Sequence, residues 1–565
     1  MQMKNEHGSG KTREFTLTAL MLGVVISVVF GAANAYLGLK VGLTISASIP
    51  AAVISMGVLR FVLRRDSILE NNMVQTIGSA GESLVAGAVF TMPALYLWAQ
   101  EGVCLPPGVV ELTLISLAGG VLGVLLMVPL RKPLIVDEDA TLVYPEGRAC
   151  AEVLRAGEKG ARHAGVVFLG VLAAAAVKLV TDLFKWVPAV VSIPFRRIRG
   201  ELGLETSAAL VGVGYIVGPK VSTLVFSGSF FGWMVLIPLF CAFSDNAAAL
   251  YSQGGAVAVW KEYVRFVGAG AIAAGGFFSL VKSVPLFVKT FRESAKRGSG
   301  GDAKGDIPLK YIAWGVAAVI VFIACAPAVP VGIGGALLMA FFGFFFAAVS
   351  ARMVGLVGSS NNPISGMTIA TLVVSSLALK ACGAAGAAGM VGSIAIGSVV
   401  CIVAALAGDT AQDLKTGHIV GATPWKQQVG ELAGAVAAAF TVAGVLFLLH
   451  KAWGFGSDQL SAPQATLMKS IVEGMMGGEM SWGLLALGAG IATVLEICRV
   501  PVMACALGIY LPVRINTTIF IGGMLRLLAN RRRPELAQPG TLFSAGLVAG
   551  EGLCGIALAL VAVMG

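Results

Sequence analysis

The sequence predicts an all-α fold: a polytopic helical membrane protein with about sixteen transmembrane helices, some of them broken or re-entrant. The 565 residues are 57% hydrophobic and only 12% charged, and the mean hydropathy is +0.87. A soluble domain of this size could not cover so much apolar surface with polar side chains. The 73 glycines are typical of transmembrane helices that approach one another closely. We therefore expect residues 1–565 to form a single membrane domain.

Apolar windows locate the individual spans. A bilayer core about 30 Å thick requires about 20 apolar residues for each helical crossing. Such windows fall near residues 15–38, 41–62, 68–98, 109–129, 164–184, 206–223, 225–243, 264–289, 311–328, 331–350, 364–381, 387–407, 428–450, 480–498, 500–530 and 541–564. Pro501 and Pro512 interrupt the window 500–530, so it is expected to form two short pieces.

Lysine and arginine residues predict which loops are cytoplasmic, because cytoplasmic loops carry an excess of both. The basic segments are the N-terminal tail 1–14 and the loops 130–163, 290–310 and 408–427. Residues 99–108 contain no basic side chain and fit the exterior. We therefore expect a multi-pass protein of the cytoplasmic (inner) membrane with a cytoplasmic N terminus.

One basic segment conflicts with this orientation. Arg196, Arg197 and Arg199 fall where the count of crossings places the exterior. Either residues 184–200 form an interfacial helix or the count is wrong at this point. The side of the segment 184–205 therefore stays open.

Composition and motifs exclude several function classes. The net charge of +10 is explained by the cytoplasmic loops, so no nucleic-acid partner is expected. The nine cysteines form no CxxC pair, and the four histidines form no HExxH motif, so we expect no metal site and no intramembrane zinc protease. Residues 8–12 resemble the end of a phosphate-binding loop but lack its first glycine and its preceding strand. We therefore expect no resident cofactor and no enzymatic activity.

The third span carries polar side chains inside an apolar window. Asn71, Gln75 and Glu82 recur at helical spacing, so one helix face presents two amides and a carboxylate. Ionisable residues are costly in hydrocarbon and usually face a partner or a water-filled path. The amides may serve only to join helices by hydrogen bonds, whereas Glu82 is more typical of a functional group.

Two further segments predict broken helices. The first span ends in Asn34, Tyr36 and a glycine-containing reversal, and residues 361–368 begin with Asn361 and Asn362 followed by proline. A broken helix exposes backbone amides and carbonyls, which are tolerated at membrane depth only where they line a cavity. Both segments are candidate substrate sites, although an ordinary surface turn is an equal alternative for Asn361 and Asn362.

The two ends of the chain share a weak pattern that predicts an internal repeat. Glu551 is flanked by glycines in an apolar span. It is preceded, in order, by a Leu-Gly break, a span with scattered polar residues that include Asn516, and a run of arginines. The same order precedes Glu82 near the N terminus. Two such repeats facing each other across a central site are typical of secondary transporters.

A family resemblance is carried by specific segments of the chain. Residues 128–137 and 142–151, which read VPLRKPLIVD and LVYPEGRACA, resemble the PLRK and YPxGxAxA motifs of the oligopeptide transporter family, closest to its yellow-stripe-like branch and bacterial relatives. Residues 70–82, 212–219 and 362–363 also match, in family order. No KIPPR-type motif is present, which disfavours the fungal and plant peptide-carrying branch.

The resemblance implies cation-coupled symport, with the proton as the expected coupling ion, of small peptides, glutathione-like compounds or amino-acid-derived metal chelates. Membrane lipid is an expected partner, and a homodimer is possible. The rival interpretations are a solute channel and an intramembrane enzyme that acts on lipid-linked substrates.

A mechanism follows as a hypothesis. Glu82 and Glu551 would carry the coupling proton, because apolar surroundings favour the neutral form of a carboxyl group. The candidate substrate-binding residues are Asn71, Gln75, Glu82, Asn361, Asn362, Tyr36, Tyr215 and Asn516. Lys40 and Lys220 are secondary candidates for a substrate carboxylate, since a lysine at a helix end more often extends to lipid headgroups.

Overall fold

The computed structural model describes residues 13–564, apart from several short gaps and one longer one. The gaps are residues 43, 45, 66, 140–141, 143, 158–163, 279–280, 282–304, 327–328, 360–361, 363, 385, 458 and 478–480. Most of the predicted loop 290–310, the candidate Asn361 and most of the N-terminal tail therefore lie outside the described residues.

The described chain is almost entirely helical. The first part contains α1 (Leu17–Val41), α2 (Ser48–Gly57), α3 (Ile68–Val89), α4 (Pro93–Gln100), α5 (Val109–Arg131), α6 (Pro145–Gly157) and α7 (Ala164–Lys178). The middle part contains strands β1 (Val190–Phe195) and β2 (Gly200–Glu205), then α8 (Ala208–Phe231), α9 (Ile237–Phe243), α10 (Asp245–Val259), α11 (265–278), α12 (Leu309–Cys325), α13 (Gly332–Val357) and α14 (Ile364–Ala381). The last part contains α15 (Gly386–Val420), α16 (Pro424–Trp453), α17 (Pro463–Met476), α18 (Trp482–Ile497), α19 (Val502–Tyr510), α20 (Val513–Arg532) and α21 (Ala537–Met564).

The prediction of an all-α polytopic membrane protein is confirmed. Within the described residues, nine helices are long and apolar enough to cross a membrane, and four shorter apolar helices accompany them. The total of about sixteen crossings stays a prediction. The break predicted at Pro512 is present, because α19 ends at Tyr510 and α20 begins at Val513.

Helices α3 and α15 form the centre of the bundle. The most apolar part of α3 and α4 is completely buried, and 94% of the corresponding window of α15 is buried. Helix α3 packs against α1, α15 and α16, while α15 also packs against α5, α13 and α14. Close approach depends on glycine: a Cβ atom on Gly87 of α3 would lie 2.5 Å from the Cα atom of Ile402 on α15, and one on Gly119 of α5 would lie 2.7 Å from the Ile402 Cβ atom.

The segment 408–427 is not the loop that the sequence predicts. Helix α15 continues to Val420, its residues 408–417 are buried, and α16 begins at Pro424. The polar side chains that resemble a loop in the sequence instead face α3 and α6, which pack around this end of α15. The predicted loop 130–163 likewise contains α6.

The segment 184–200 is not an interfacial helix. Strands β1 and β2 form an antiparallel hairpin in which Val190 pairs with Glu205 and Phe195 pairs with Gly200. The run VVSIPF of β1 is rich in β-branched and aromatic residues, which favour a strand over a helix. Every residue of β1 is exposed.

Candidate functional site

A cavity of about 960 Å³ lies where several helices are interrupted. Its lining includes the end of α1, the start of α6, the middle of α8, the link between α13 and α14, and the link between α18 and α19. The polar and charged lining residues are Thr44, Glu146, Lys220, Ser359, Asn362, Ser365, Gln464, Glu496 and Arg499. Irregular backbone at membrane depth is expected only around such a cavity.

An arginine of α20 stabilises the break in α8. Gly218 has φ +85° and ψ 173°, which interrupts the helix just before Pro219. The Nη1 atom of Arg526 donates to the carbonyl oxygens of Tyr215 and Ile216, at 2.9 and 2.7 Å. These hydrogen bonds satisfy carbonyl groups that the break leaves without helical partners. The candidate Tyr215 therefore lies at the break, next to the cavity-lining Ile216.

The link between α13 and α14 begins at Gly358, which has φ +85°. Asn362 follows and donates from Nδ2 to the Ser350 hydroxyl at 2.6 Å. The Ser359 hydroxyl donates to Glu146 at the start of α6. Of the candidates chosen from the sequence, Asn362 and the secondary candidate Lys220 belong to the cavity lining among the described residues.

The polar face of α3 contacts three neighbouring helices. Asn71 accepts a hydrogen bond from the Ser55 hydroxyl of α2 at 2.6 Å. Gln75 donates to Asp413 of α15 at 2.5 Å. Glu82 accepts from Asn34 of α1 at 2.6 Å and from the backbone N–H of Ala47, just before α2, at 3.1 Å.

Four buried carboxyl groups gather around this face, and we call them the carboxyl cluster: Glu82 of α3, Asp409 and Asp413 of α15, and Glu431 of α16. Each is at most 4% exposed, and they interact electrostatically with one another. The strongest of these interactions are with other carboxyl, hydroxyl and amide groups rather than with lysine or arginine.

Hydrogen-bond donors are distributed unequally within the carboxyl cluster. Asp413 accepts hydrogen bonds from Gln75, from the Ser79 hydroxyl and from the Ser48 hydroxyl. By contrast, no carboxyl oxygen of Asp409 or Glu431 has a hydrogen-bond partner among the described residues.

Sequence reasoning missed Asp409 and Asp413 because it assigned their segment to a cytoplasmic loop, and it did not single out Glu431 near the start of the window 428–450. Asp409 and Asp413 are four residues apart, which places them on one face of a helix. That spacing, directly after a long apolar run, is the signal from which the continuation of α15 could have been predicted.

Glu551 lies in a different kind of site, at the junction of α1, α8, α21 and the hairpin. The Lys40 Nζ atom lies 3.4 Å from a Glu551 carboxyl oxygen and 2.7 Å from one of Glu205. Glu551 also accepts hydrogen bonds from the Ser207 hydroxyl and from the backbone N–H of Ala209, both at 2.8 Å. This carboxyl group is thus ion-paired and surrounded by donors.

The remaining candidates join helices. The Lys178 ammonium donates to the Tyr36 hydroxyl at 3.3 Å. Asn516 donates to the Ser229 hydroxyl at 2.9 Å and to the Gly508 carbonyl at 3.1 Å. Neither contact excludes a role in substrate binding, which stays a prediction for both residues.

Segments predicted to be cytoplasmic contact one another at one end of the bundle. Lys415 near the end of α15 donates to Asp139 in the link before α6, and this hydrogen bond lowers the pKa of the Asp139 carboxyl. Lys426 forms an ion pair with Glu14 of the N-terminal tail at 2.8 Å. Among the described residues, no group of three His, Cys, Asp or Glu side chains could hold a metal ion.

Comparisons with known proteins agree with the resemblance found in the sequence. A curated relative, a putative oligopeptide transporter of Haemophilus influenzae, is 36% identical over 93% of this chain and 92% of its own length. The metal-nicotianamine transporter YSL3 of Arabidopsis thaliana is 22% identical over 80% of this chain and 74% of its own. The iron-phytosiderophore transporter YSL15 of Oryza sativa subsp. japonica is 22% identical over 81% and 75%, respectively.

The family model for the OPT oligopeptide transporter protein matches residues 14–562. That range includes the interrupted helices, the cavity and the carboxyl cluster. The relatives are described as transporters, so the prediction of a transporter rather than an enzyme is confirmed. This chain belongs to the oligopeptide transporter family.

Proposed function

We propose that this protein is a proton-coupled symporter of the cytoplasmic membrane that imports small peptides or amino-acid-derived metal chelates, with its N terminus in the cytoplasm. The names of its relatives support both solute classes. The contacts between Glu14, Lys426 and the α15 end of the bundle support a common side for the basic segments. Lipid contacts and a homodimer stay predictions of the sequence.

The observation that carries the proposal is that one short helix, α6, joins the cavity to the carboxyl cluster. Glu146 of α6 lines the cavity, and its charge acts on Glu82. The next residue, Gly147, donates its N–H to Gln412 of α15 at 2.7 Å and accepts a hydrogen bond from Thr416 at 3.0 Å. We infer that a change of charge in the cluster is transmitted through α6 to the wall that contacts the solute.

The carboxyl cluster has the chemistry of a proton-binding site. Carboxyl groups that share a buried site cannot all be ionised at once, and they titrate as a coupled set. Asp413 and Glu82 accept hydrogen bonds that stabilise an ionised form, whereas Asp409 and Glu431 have hydroxyl groups nearby but accept no hydrogen bond from a described residue. We infer that Asp409 and Glu431 hold the protons. When these protons are lost, the new negative charges repel Glu82 and Asp413, and this repulsion moves α15 and α3 apart. Glu551, paired with Lys40, is better suited to a fixed charge.

Uptake by the purified protein in proteoliposomes tests this proposal. The panel consists of labelled dipeptides, glutathione and iron chelates, with and without an inward proton gradient. We expect at least one solute to accumulate against its gradient only when the proton gradient is imposed. Failure of every solute to accumulate would contradict the symporter.

Variants separate the symporter from a channel. Asp409→Asn and Glu431→Gln, which replace the two groups inferred to hold the protons, should reduce gradient-driven accumulation at least tenfold while solute exchange continues, because exchange requires no net proton movement. A channel would keep its flux in both variants. Glu535→Gln, at an exposed glutamate between α20 and α21, is the control and should transport like the wild type.

A further inference from the structure

The cavity wall carries two cations without a partner in the described chain. Lys220 of α8 and Arg499 of the link between α18 and α19 both line the cavity and are exposed. Neither side chain forms a hydrogen bond or an ion pair with another described residue. By comparison, lysines and arginines elsewhere in the interior, such as Lys40 and Arg131, are ion-paired.

The acidic residues of the same wall, Glu146 and Glu496, form no ion pair with either cation. Ser359 donates to Glu146, and Glu496 also interacts with another residue. Within the described part of the wall, Lys220 and Arg499 are therefore left without a direct counter-ion. Because both cations face the open cavity, a solute that enters it can supply the opposite charge.

Lipid headgroups do not account for Lys220. Lys220 follows the break at Gly218 and Pro219, near the middle of α8 rather than at its end. A lysine that extends to headgroups is instead found near a helix end.

Arg499 has a strained backbone in addition to its position. Its φ is +58°, a left-handed conformation that is costly for a residue with a side chain. Strain of this kind persists where the surrounding structure fixes it, often at ligand sites. Arg499 lies in the link where α18 stops and α19 begins, and it belongs to the cavity lining.

We propose that Lys220 and Arg499 form the subsite that receives the carboxylates of the solute, so that the cavity selects solutes with two or more carboxylates. This inference rests on the proposed function, because it names the solute class of the same cavity. Guanidinium binds a carboxylate through two parallel hydrogen bonds, and the lysine ammonium supplies a second point charge.

Calorimetric titration of the purified, full-length protein tests the subsite without requiring transport. The probes are glutamyl-glutamate, alanyl-alanine, lysyl-lysine and iron(III) nitrilotriacetate. We expect glutamyl-glutamate and iron(III) nitrilotriacetate to bind at least tenfold more tightly than alanyl-alanine, and lysyl-lysine to bind most weakly. Equal affinities for the four probes, or no binding of either polycarboxylate, would overturn the inference.

Variants assign the preference to the two residues. Arg499→Gly removes the cation and suits the positive φ, so it should fold as well as the wild type. It should lower the ratio of glutamyl-glutamate to alanyl-alanine affinity about tenfold, as should Lys220→Gln, whereas Arg499→Lys should retain most of the preference. Arg531→Gln, at an exposed position of α20, is the control. An unchanged ratio in Arg499→Gly and Lys220→Gln would contradict the assignment.

The two proposals can fail independently. A protein that prefers polycarboxylates in calorimetry but does not accumulate them with a proton gradient contradicts the symport mechanism alone. A protein that accumulates neutral dipeptides as well as acidic ones contradicts the carboxylate subsite alone.

Discussion

Glu82 of α3 and Glu551 of α21 are both buried glutamates that directly follow a glycine in an apolar span. Each accepts a hydrogen bond from a backbone N–H near the start of another helix, Ala47 before α2 in one case and Ala209 of α8 in the other. The neighbouring charges differ. Glu551 faces Lys40 at 3.4 Å, while the charges that act most strongly on Glu82 are those of other carboxyl groups.

The difference shows how one local pattern can serve two purposes. A carboxylate with a cation and several donors is stabilised as a fixed charge, which holds helices and the hairpin together. A carboxyl group among other carboxyl groups changes its ionisation easily, because each proton gained or lost alters the energy of its neighbours. Stability measurements can test this contrast separately from transport.

The largest effect on stability is expected from Lys40→Met. The side chain of Lys40 is 11% exposed and that of Glu551 is 2% exposed, so the change leaves a buried carboxylate without its cation. Loss of one partner of a buried ion pair costs about 3–5 kcal/mol. The measurement is the free energy of unfolding of the purified protein in detergent.

Two companion variants control for this experiment. Lys220→Met, at an exposed and unpaired lysine, should change the free energy of unfolding by less than about 0.5 kcal/mol. The double variant with Lys40→Met and Glu551→Gln should recover part of the loss, since the buried charge is removed as well. A Lys40→Met protein as stable as the wild type would show that Glu551 does not depend on the pair.

An intermediate effect is expected from the glycines that precede the two glutamates. A Cβ atom on Gly81 would lie 2.8 Å from the backbone oxygen of Ser27, and one on Gly550 would lie 2.8 Å from the Cα atom of Val171. Gly81→Ala and Gly550→Ala should each cost about 1–3 kcal/mol of unfolding free energy through overpacking.

Gly444 on α16 provides the matched control, because a Cβ atom there would have no neighbour within 4 Å. Gly444→Ala should be neutral or stabilising by up to about 1 kcal/mol. Similar losses of unfolding free energy in Gly81→Ala and Gly550→Ala would mean that the shared Gly-Glu pattern reflects helix packing. The electrostatic difference between the two glutamates would then come from the residues that surround them. A loss at only one of them would weaken the comparison.

The sequence predicts the parts of this molecule that local patterns encode. Apolar windows predict the helical membrane fold. Glu82 and Gln75 can be identified as candidates because they are polar residues inside an apolar run. Asp413 was missed because its own segment is polar, and its burial results from packing of α3 and α6 around α15. The cation at Glu551 comes from Lys40, more than 500 positions away in the chain, so only the folded structure distinguishes the two glutamates.

The smallest effect on stability is expected from Asp409→Asn, and it tests the comparison most directly. Asp409 is 2% exposed and its carboxyl oxygens have no hydrogen-bond partner among the described residues, so the amide removes no ion pair and no accepted hydrogen bond. Because an amide of the same shape also avoids the cost of a buried charge, the free energy of unfolding should stay within about 1 kcal/mol of the wild type. The measurement is the free energy of unfolding at pH 6 and at pH 8. At pH 8 the wild type should lose stability relative to Asp409→Asn, because loss of a proton from the cluster places a further negative charge beside Glu82 and Asp413. A loss of several kcal/mol at both pH values would mean that Asp409, like Glu551, is a fixed charge with a stabilising partner, and the distinction between the two sites would fail.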